Sequence, residues 1–242
     1  MIRSSQTDAV VTIELDRAEK RNALNEDMLS GLSEAFSAAV DGGARAIVLT
    51  GRGPVFSAGA DLSGPVYDVG FLDKLLALME KIESVPVPVI AAVGGAAIGA
   101  GLQLAMAADL RVLSPGAVVA IPAAKLAVAV DEWTIRRLVT LVGAGQARNI
   151  LIGCETLSAE RGVELGFTNR IGDLAAAQAW AAEIAELAPL TLQHYKLVLN
   201  AEAREEPAPE RVAAMQRCWI SEDMAEARAA RAAKRKPEFK GR

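Results

Sequence analysis

The sequence predicts an α/β chain with a helical C-terminal segment. Three observations carry this. Short apolar runs alternate with longer amphipathic stretches, the amphipathic stretches space their apolar residues by three and four, and the strand-like runs stop after about Asp173. Val10-Val11-Thr12-Ile13-Glu14-Leu15 partly alternates and reads as the first strand. Leu24, Met28, Leu29, Leu32, Ala35, Phe36 and Ala39 then share one helical face, with Asn25 as its cap. Ala46–Thr50 is a strand closed by Gly51. Phe71, Leu72, Leu75, Leu76, Met79 and Ile82 form the apolar face of a second helix. Val87–Val93 is a strand closed by Gly94 and Gly95, and Asp109–Leu113 and Ala117–Ala120 are two more. A helix is expected over Glu132–Val142. Four more are expected over Ala175–Leu187, Leu190–Ala203, Glu210–Trp219 and Glu222–Lys234, punctuated by Pro189, Pro207 and Pro209. This tail is too small for a core of its own, so it is expected to pack on the main body or on another subunit.

Length and composition narrow the function classes. At 242 residues the chain holds one or two domains. It is 52% hydrophobic and 23% charged, which excludes wholesale disorder. Aromatics are only 4% and the net charge is −4, so base stacking and nucleic-acid binding are disfavoured. Residues 228–242 nevertheless carry seven basic side chains against one acid, Glu238, a local +6 on an otherwise acidic chain. That suits a small anionic ligand better than a polyanion. Cys154 and Cys218 read as buried thiols of a reducing compartment. The single histidine, His194, rules out a multi-histidine zinc site and argues against a Ser-His-Asp triad; no metal is expected. The stretch Val85–Ala108 is broken by prolines, glycines and Gln103, so no membrane span is expected, and the N-terminus has no apolar signal region. The expectation is a cytoplasmic protein.

Two segments rich in small residues follow apolar strands: Gly51-Arg-Gly-Pro-Val-Phe-Ser-Ala-Gly-Ala-Asp-Leu62 and Gly94-Gly-Ala-Ala-Ile-Gly-Ala-Gly-Leu-Gln-Leu104. Small residues let a backbone approach a ligand, and a loop that opens a helix presents unpaired N–H groups to an anion. Tight turns and close helix–sheet packing explain either segment alone equally well. Gly99-Ala-Gly101 runs on to Leu104 where a dinucleotide fingerprint needs its third glycine, and no Gly-Lys-Ser/Thr follows either loop. An NAD-dependent oxidoreductase therefore has only the strand–helix alternation in its favour.

Taken together, the segments resemble the crotonase (enoyl-CoA hydratase/isomerase) superfamily. Arg17-Ala-Glu-Lys-Arg-Asn-Ala-Leu24 resembles its N-terminal coenzyme A loop. Phe56-Ser-Ala-Gly-Ala-Asp-Leu62 resembles its first oxyanion segment and Ile98–Asp109 its second. Lys234-Arg-Lys-Pro-Glu-Phe239 resembles its C-terminal ending. The resemblance implies a ββα spiral core over residues 1–188 and a helical trimerisation segment over 189–242. It further implies a homotrimer or dimer of trimers, a coenzyme A thioester as ligand with no other cofactor, and a place in fatty-acid and lipid metabolism with room for a protein partner in lipid synthesis. Backbone amides of Ala60 and Ala100 match the pair that grips the thioester oxygen. Arg21, Ala23, Ala58, Asp61 and Leu62 match positions around the adenine and pantetheine. Lys234 matches a lysine that reaches a neighbouring subunit's nucleotide.

The same resemblance exposes a gap. Family hydratases commonly use two glutamates, and the matching positions here are Gln103 and Ala123. Glutamine has no acidic proton near neutrality, and alanine has no polar group. A positioned acid or base supplies ~10²–10⁴-fold in rate, so weak or absent hydratase activity is expected. Asp131 matches a catalytic aspartate of some relatives and is the candidate base of an alternative isomerase or hydratase reading. It also reads as the N-cap of the helix that follows. Glu132 reads as a first-turn dipole partner. Trp133 reads as core or as a wall of the acyl pocket beside Gln103 and Ala123.

Overall fold

The computed structural model describes residues 1–64, 69–201, 216 and 219–238. Cys218 and most of the expected helix 210–219 lie outside the described residues. β1 (Ile2–Thr7) and β2 (Val10–Leu15) form an antiparallel hairpin, and α1 (Glu26–Asp41) follows, its N-cap Asn25 accepting from the Met28 amide at 3.0 Å. The chain then runs through one unit, two strands and a helix, three times over. The first turn of this spiral is β3 (Ala46–Gly51), β4 (Val55–Ser57) and α2 (Val69–Ser84). The second is β5 (Val89–Val93), β6 (Ala96–Ile98) and α3 (Ala100–Ala107), and the third is β7 (Leu110–Leu113), β8 (Val118–Ala120) and α4 (Glu132–Leu151). β9 (Leu157–Ser158), α5 (Ala159–Leu165), β10 (Arg170–Ile171), α6 (Leu174–Ala185), α7 (Pro189–Ala201) and α8 (Glu222–Ala232) complete the described elements.

The first strand of each unit joins a sheet of order β1-β2-β3-β5-β7-β10, parallel from β2 onward; the second strands join a sheet of order β4-β6-β8-β9. This is the ββα spiral implied by the resemblance. The larger sheet is covered on both faces. Ile47, Leu49, Ala91 and Val93 enter the main core with α1 and α2, while Ala46, Val48, Ile90 and Ala92 pack with Ala177, Ala181 and Ile184 of α6. Burial on both faces is why these strands read as unbroken apolar runs, each large side chain contributing ~1.5–3 kcal/mol.

β1 has no such signature. Apart from half-buried Ile2 its residues are polar and exposed at the sheet edge, so nothing in their pattern predicts it. β4 and β6 lie inside the glycine-rich segments, three residues each, with a register shift between Val55 and Ser57. Helix α4 bends at Gly143, where φ is 75°, one residue beyond the expected end at Val142, and then resumes to Leu151. Cys154 is a correction: it lies half-buried in a left-handed turn after α4 (φ 53°), not in the core. His194 is exposed on α7. Helix α7 docks through two buried polar side chains. Lys196 donates to Val87 O at 3.0 Å and to Asp109 Oδ2 at 2.8 Å, and Asn200 donates to Glu83 O at 3.1 Å. Helix α8 packs on a 3-10 turn at Ala123–Leu126, burying Met224, Ala227 and Ala230. Among the described residues no helix is long and apolar enough to cross a membrane.

Candidate functional site

The site is assembled where the loop 17–24 meets the ends of β4 and β6. Arg21 and Asn22 both adopt the left-handed conformation (φ 53°), which doubles the chain back beneath Ala58. Asn22 is completely buried and ties this loop to its surroundings. Its Oδ1 accepts from Arg17 N at 3.0 Å, and its Nδ2 donates to Arg52 O at 3.0 Å and Val55 O at 2.8 Å. Its carbonyl accepts from Ser57 Oγ at 2.8 Å, and Arg21 O accepts from Ala58 N at 2.9 Å. Leu24 then bridges Ala60 in parallel, bonding Gly59 O and Asp61 N at 2.7 Å each. In a parallel bridge the central residue's own N–H points away from its partner, so the Ala60 amide is directed away from Leu24.

Ala100 opens α3 behind a cap, Gly99, that offers no side chain. The first intrahelical bond runs from Gln103 N to Gly99 O, so the Ala100 amide precedes the helix's own ladder and carries the positive end of its dipole. Gly59 joins the two amides in space. A Cβ at Gly59, where φ is +89°, would stand 2.6 Å from Ile98 O and 3.5 Å from Ala100 N. The peptide carrying the Ala60 N–H therefore sits against the start of α3. A Cβ at Gly101 would meet Ser57 O at 2.6 Å, so close packing and site geometry have the same cause in these segments.

One helical turn into α3, Gln103 is buried and donates to Thr134 Oγ1 at 2.6 Å and to Asp131 Oδ2 at 3.1 Å. Asp131 is the N-cap of α4, its Oδ1 accepting from Thr134 N at 2.9 Å and its Oδ2 from Thr134 Oγ1 at 2.7 Å. The structure thus brings Gln103 and Asp131 together and engages both carboxylate oxygens. Ala123 starts the 3-10 turn under α8 and packs, half-buried, on the main core, as do Leu62 and Trp133. The Trp133 indole N–H lies 3.2 Å from each carboxylate oxygen of Glu83. Lys234 is exposed in the turn that ends α8 (φ 53°). Nearby, Arg235 of the basic tail is paired with Glu226. Among the described residues no group of three or more His, Cys, Asp or Glu side chains could hold a metal ion.

Asp61 is held inside the frame. Its Oδ1 accepts from the Ser63 hydroxyl at 2.6 Å and its Oδ2 from Arg17 Nη1 at 2.7 Å. The Ser63 hydroxyl chiefly, with Arg17, lowers the carboxyl from 3.8 to about 2, against the opposing effect of burial. A depressed folded-state value stabilises the protein above the unfolded value and is lost as pH falls through the folded one, here between about pH 4 and about pH 2. Asp61→Asn is expected to lower the melting temperature at neutral pH and to remove this part of the acid limb. Melting curves collected across that window check it, and parallel acid limbs in the two proteins would refute it.

Asn22 and Glu83 were not singled out from sequence. Asn22 sits in a polar run with no periodic signal. Glu83 did leave one: it stands four residues after Met79 and eight after Leu75, on the buried side of α2, and is itself buried.

Residues 5–242 match the family model for enoyl-CoA hydratase/isomerase. The chain belongs to this family. The "Probable enoyl-CoA hydratase echA6" of Mycobacterium tuberculosis is 51% identical over 242 residues, covering 100% of both chains. A "Probable enoyl-CoA hydratase" of Bacillus subtilis is 35% identical, covering 96% of this chain and 95% of its own. Among solved structures, a methylmalonyl-CoA decarboxylase superposes with a TM-score of 0.91 at 25% identity over 100% of this chain and 98% of its own. Another structure of methylmalonyl-CoA decarboxylase, in complex with 2-nitronate-propionyl-CoA, superposes at 0.89 with the same identity and coverage. The spiral described above is thus the crotonase fold, and this enoyl-CoA hydratase/isomerase family member carries glutamine at position 103 and alanine at position 123.

Proposed function

We propose that this family member binds acyl- and enoyl-CoA thioesters in fatty-acid or lipid metabolism and has weak or no hydratase activity. One observation carries the reading: the Ala60 peptide is seated against the N-terminus of α3, and Gln103, one turn into that helix, stands with Ala123 at the two positions that the resemblance matches to the family's glutamates. Two fixed amides stabilise the negative charge that an enolate-like thioester places on its oxygen, each by ~3 kcal/mol in the transition state. Water addition additionally needs a proton taken from water and one given to the α-carbon. Gln103 spends its amide protons on Asp131 and Thr134, and its carboxamide does not titrate near neutrality. Ala123 offers a methyl group.

The coenzyme A moiety lies along Arg21, Ala23, Ala58, Asp61 and Leu62 in this reading, with Lys234 serving a neighbouring subunit. Asp61 acts by fixing Arg17 and the loop. The exposed apolar side chains Leu190, Tyr195, Leu197, Val198 and Leu199 on α7 support an oligomeric interface for the C-terminal segment, as a trimer or a dimer of trimers. Crotonyl-CoA hydration by purified protein, run beside calorimetric titration with palmitoyl-CoA, tests the whole. Saturable binding is expected, with hydration at least ~10²-fold below an ordinary hydratase. Turnover at an ordinary hydratase's rate would overturn the reading.

A second reading, an isomerase or hydratase with Asp131 as its base, is supported by the contact between Asp131 and Gln103. To take a proton, Oδ2 must release Thr134 or Gln103. Asp131→Asn separates the two, since any isomerisation of enoyl- or dienoyl-CoA should then disappear while thioester affinity stays.

A further inference from the structure

The first turn of α4 is clamped to two helices at once. Asp131 and Thr134 bond Gln103 of α3, and between them Trp133 reaches the end of α2, where its indole N–H lies equidistant from both oxygens of the Glu83 carboxylate. Glu83 is a buried anion whose side chain is 2% exposed. Arg137, one turn further along α4, places its Nε 3.8 Å from Glu83 Oε1 and bonds Met106 O at the end of α3. The backbone of Glu83 is fixed as well, since its carbonyl accepts from Asn200 of α7.

Energetics argue that this carboxylate is kept for geometry. Desolvating a charge inside a protein costs about as much as a good ion pair returns, so an apolar residue would stabilise the position at least equally well. What an apolar residue cannot do is hold an indole N–H. A tryptophan whose ring is packed but whose N–H is untethered keeps alternative rotamers; two acceptor oxygens at one distance select one of them.

We propose that Glu83 is a positioning residue of the acyl chamber, which holds the Trp133 ring as the wall that an acyl chain meets after passing Gln103, and so sets the chain length accepted. This rests on the acyl-CoA reading above. A thioester gripped at Ala60 and Ala100 sends its acyl chain past Gln103, which shares the face of α3 three residues on from Ala100. The next turn of backbone on that side is Asp131–Thr134, and Trp133 is its one large apolar side chain.

The test measures dissociation constants for butyryl-, octanoyl- and palmitoyl-CoA and for free coenzyme A. Four proteins are compared: wild type, Glu83→Gln, Glu83→Met and Trp133→Phe. Glu83→Met and Trp133→Phe are expected to change the palmitoyl-to-butyryl affinity ratio by about tenfold, with free coenzyme A changed less than about twofold. Glu83→Gln, which keeps an acceptor oxygen, is expected to restore most of the wild-type ratio. In a Trp180→Phe/Trp219→Phe background Trp133 is the sole tryptophan, and under selective tryptophan excitation Glu83→Met should lower its emission anisotropy while Glu83→Gln should not. Trp133→Phe keeps a smaller aromatic ring, removes the tethered N–H and leaves Glu83 with Arg137, so it carries the test where Glu83→Met fails to fold. An unchanged chain-length ratio in folded Glu83→Met, or in Trp133→Phe, with wild type binding acyl-CoA, overturns this proposal alone. Failure of wild type to bind any acyl-CoA overturns the acyl-CoA reading and this proposal with it.

Discussion

Gly59→Ala is expected to abolish most thioester affinity while leaving the chain folded. Position 59 has φ +89°, where an L side chain costs ~1–2 kcal/mol. The added Cβ would stand 2.6 Å from Ile98 O, a backbone atom of β6 that cannot swing aside. Either the loop or the start of α3 must retreat, at an overpacking cost of ~1–3 kcal/mol. Both routes separate the Ala60 peptide from the Ala100 amide. Losing two hydrogen bonds to one thioester oxygen costs ~1–3 kcal/mol, so acyl-CoA affinity should fall by about fivefold to about 150-fold. Free coenzyme A, which has no thioester oxygen, should lose far less. Gly94→Ala is the matched control. It lies in the second glycine-rich segment, yet a Cβ there has nothing within 4 Å, and its stability and affinity should stay within about 0.5 kcal/mol of wild type. Equal losses for acyl-CoA and free coenzyme A in Gly59→Ala would show that the substitution disturbs the loop 17–24 instead of the two amides.

The contrast between Gly59 and Gly94 also shows what the sequence could reveal. Both glycines were visible as members of small-residue segments, and the segments were placed correctly after strands. Which glycine faces another backbone was not visible, because that depends on how β4 and β6 pair, and each contributes only three residues. The long buried strands were legible for the opposite reason: two covered faces demand an apolar residue at nearly every position, as Ala46–Leu49 displays. The caps were legible too. Asn25 and Asp131 were read from their place before a helix, and both accept the amide three residues on. What Asp131 does beyond capping involves Gln103, which is 28 residues away and joined to it only by the spiral. Asn22, which acts through tertiary contact, carries no local periodicity that separates it from surface polar residues, whereas Glu83 is set apart only by its spacing from Leu75 and Met79 on the buried side of α2.

Asn22 gives the second large effect. It is the polar hub on which the loop 17–24 rests, and its three side-chain bonds serve the Arg17 amide and the carbonyls of Arg52 and Val55. Asn22→Ala strips all three, and each buried group left unpaired costs ~1–3 kcal/mol before water compensates. The left-handed backbone adds ~1 kcal/mol for alanine, which asparagine tolerates better. A total loss of about 3–5 kcal/mol is expected, a large part of a stability of ~5–15 kcal/mol. Asn22→Gly should recover the backbone share alone, about 1 kcal/mol. Asn22→Asp is the sharper probe, because it is nearly identical in shape. It keeps an acceptor for the Arg17 amide but turns a second oxygen toward two carbonyl oxygens. At neutral pH it should be as damaging as alanine. The charged form is disfavoured in the folded state, so the aspartate's folded value lies above its unfolded one. Its deficit must therefore shrink as the solution is acidified through that folded value, the reverse of the trend at Asp61. Urea denaturation of the four proteins at neutral and mildly acidic pH measures all of this. An Asn22→Asp protein as stable as wild type at neutral pH would mean that the amide does not hold the two carbonyls, and that the loop beneath Ala58 is shaped by its backbone alone.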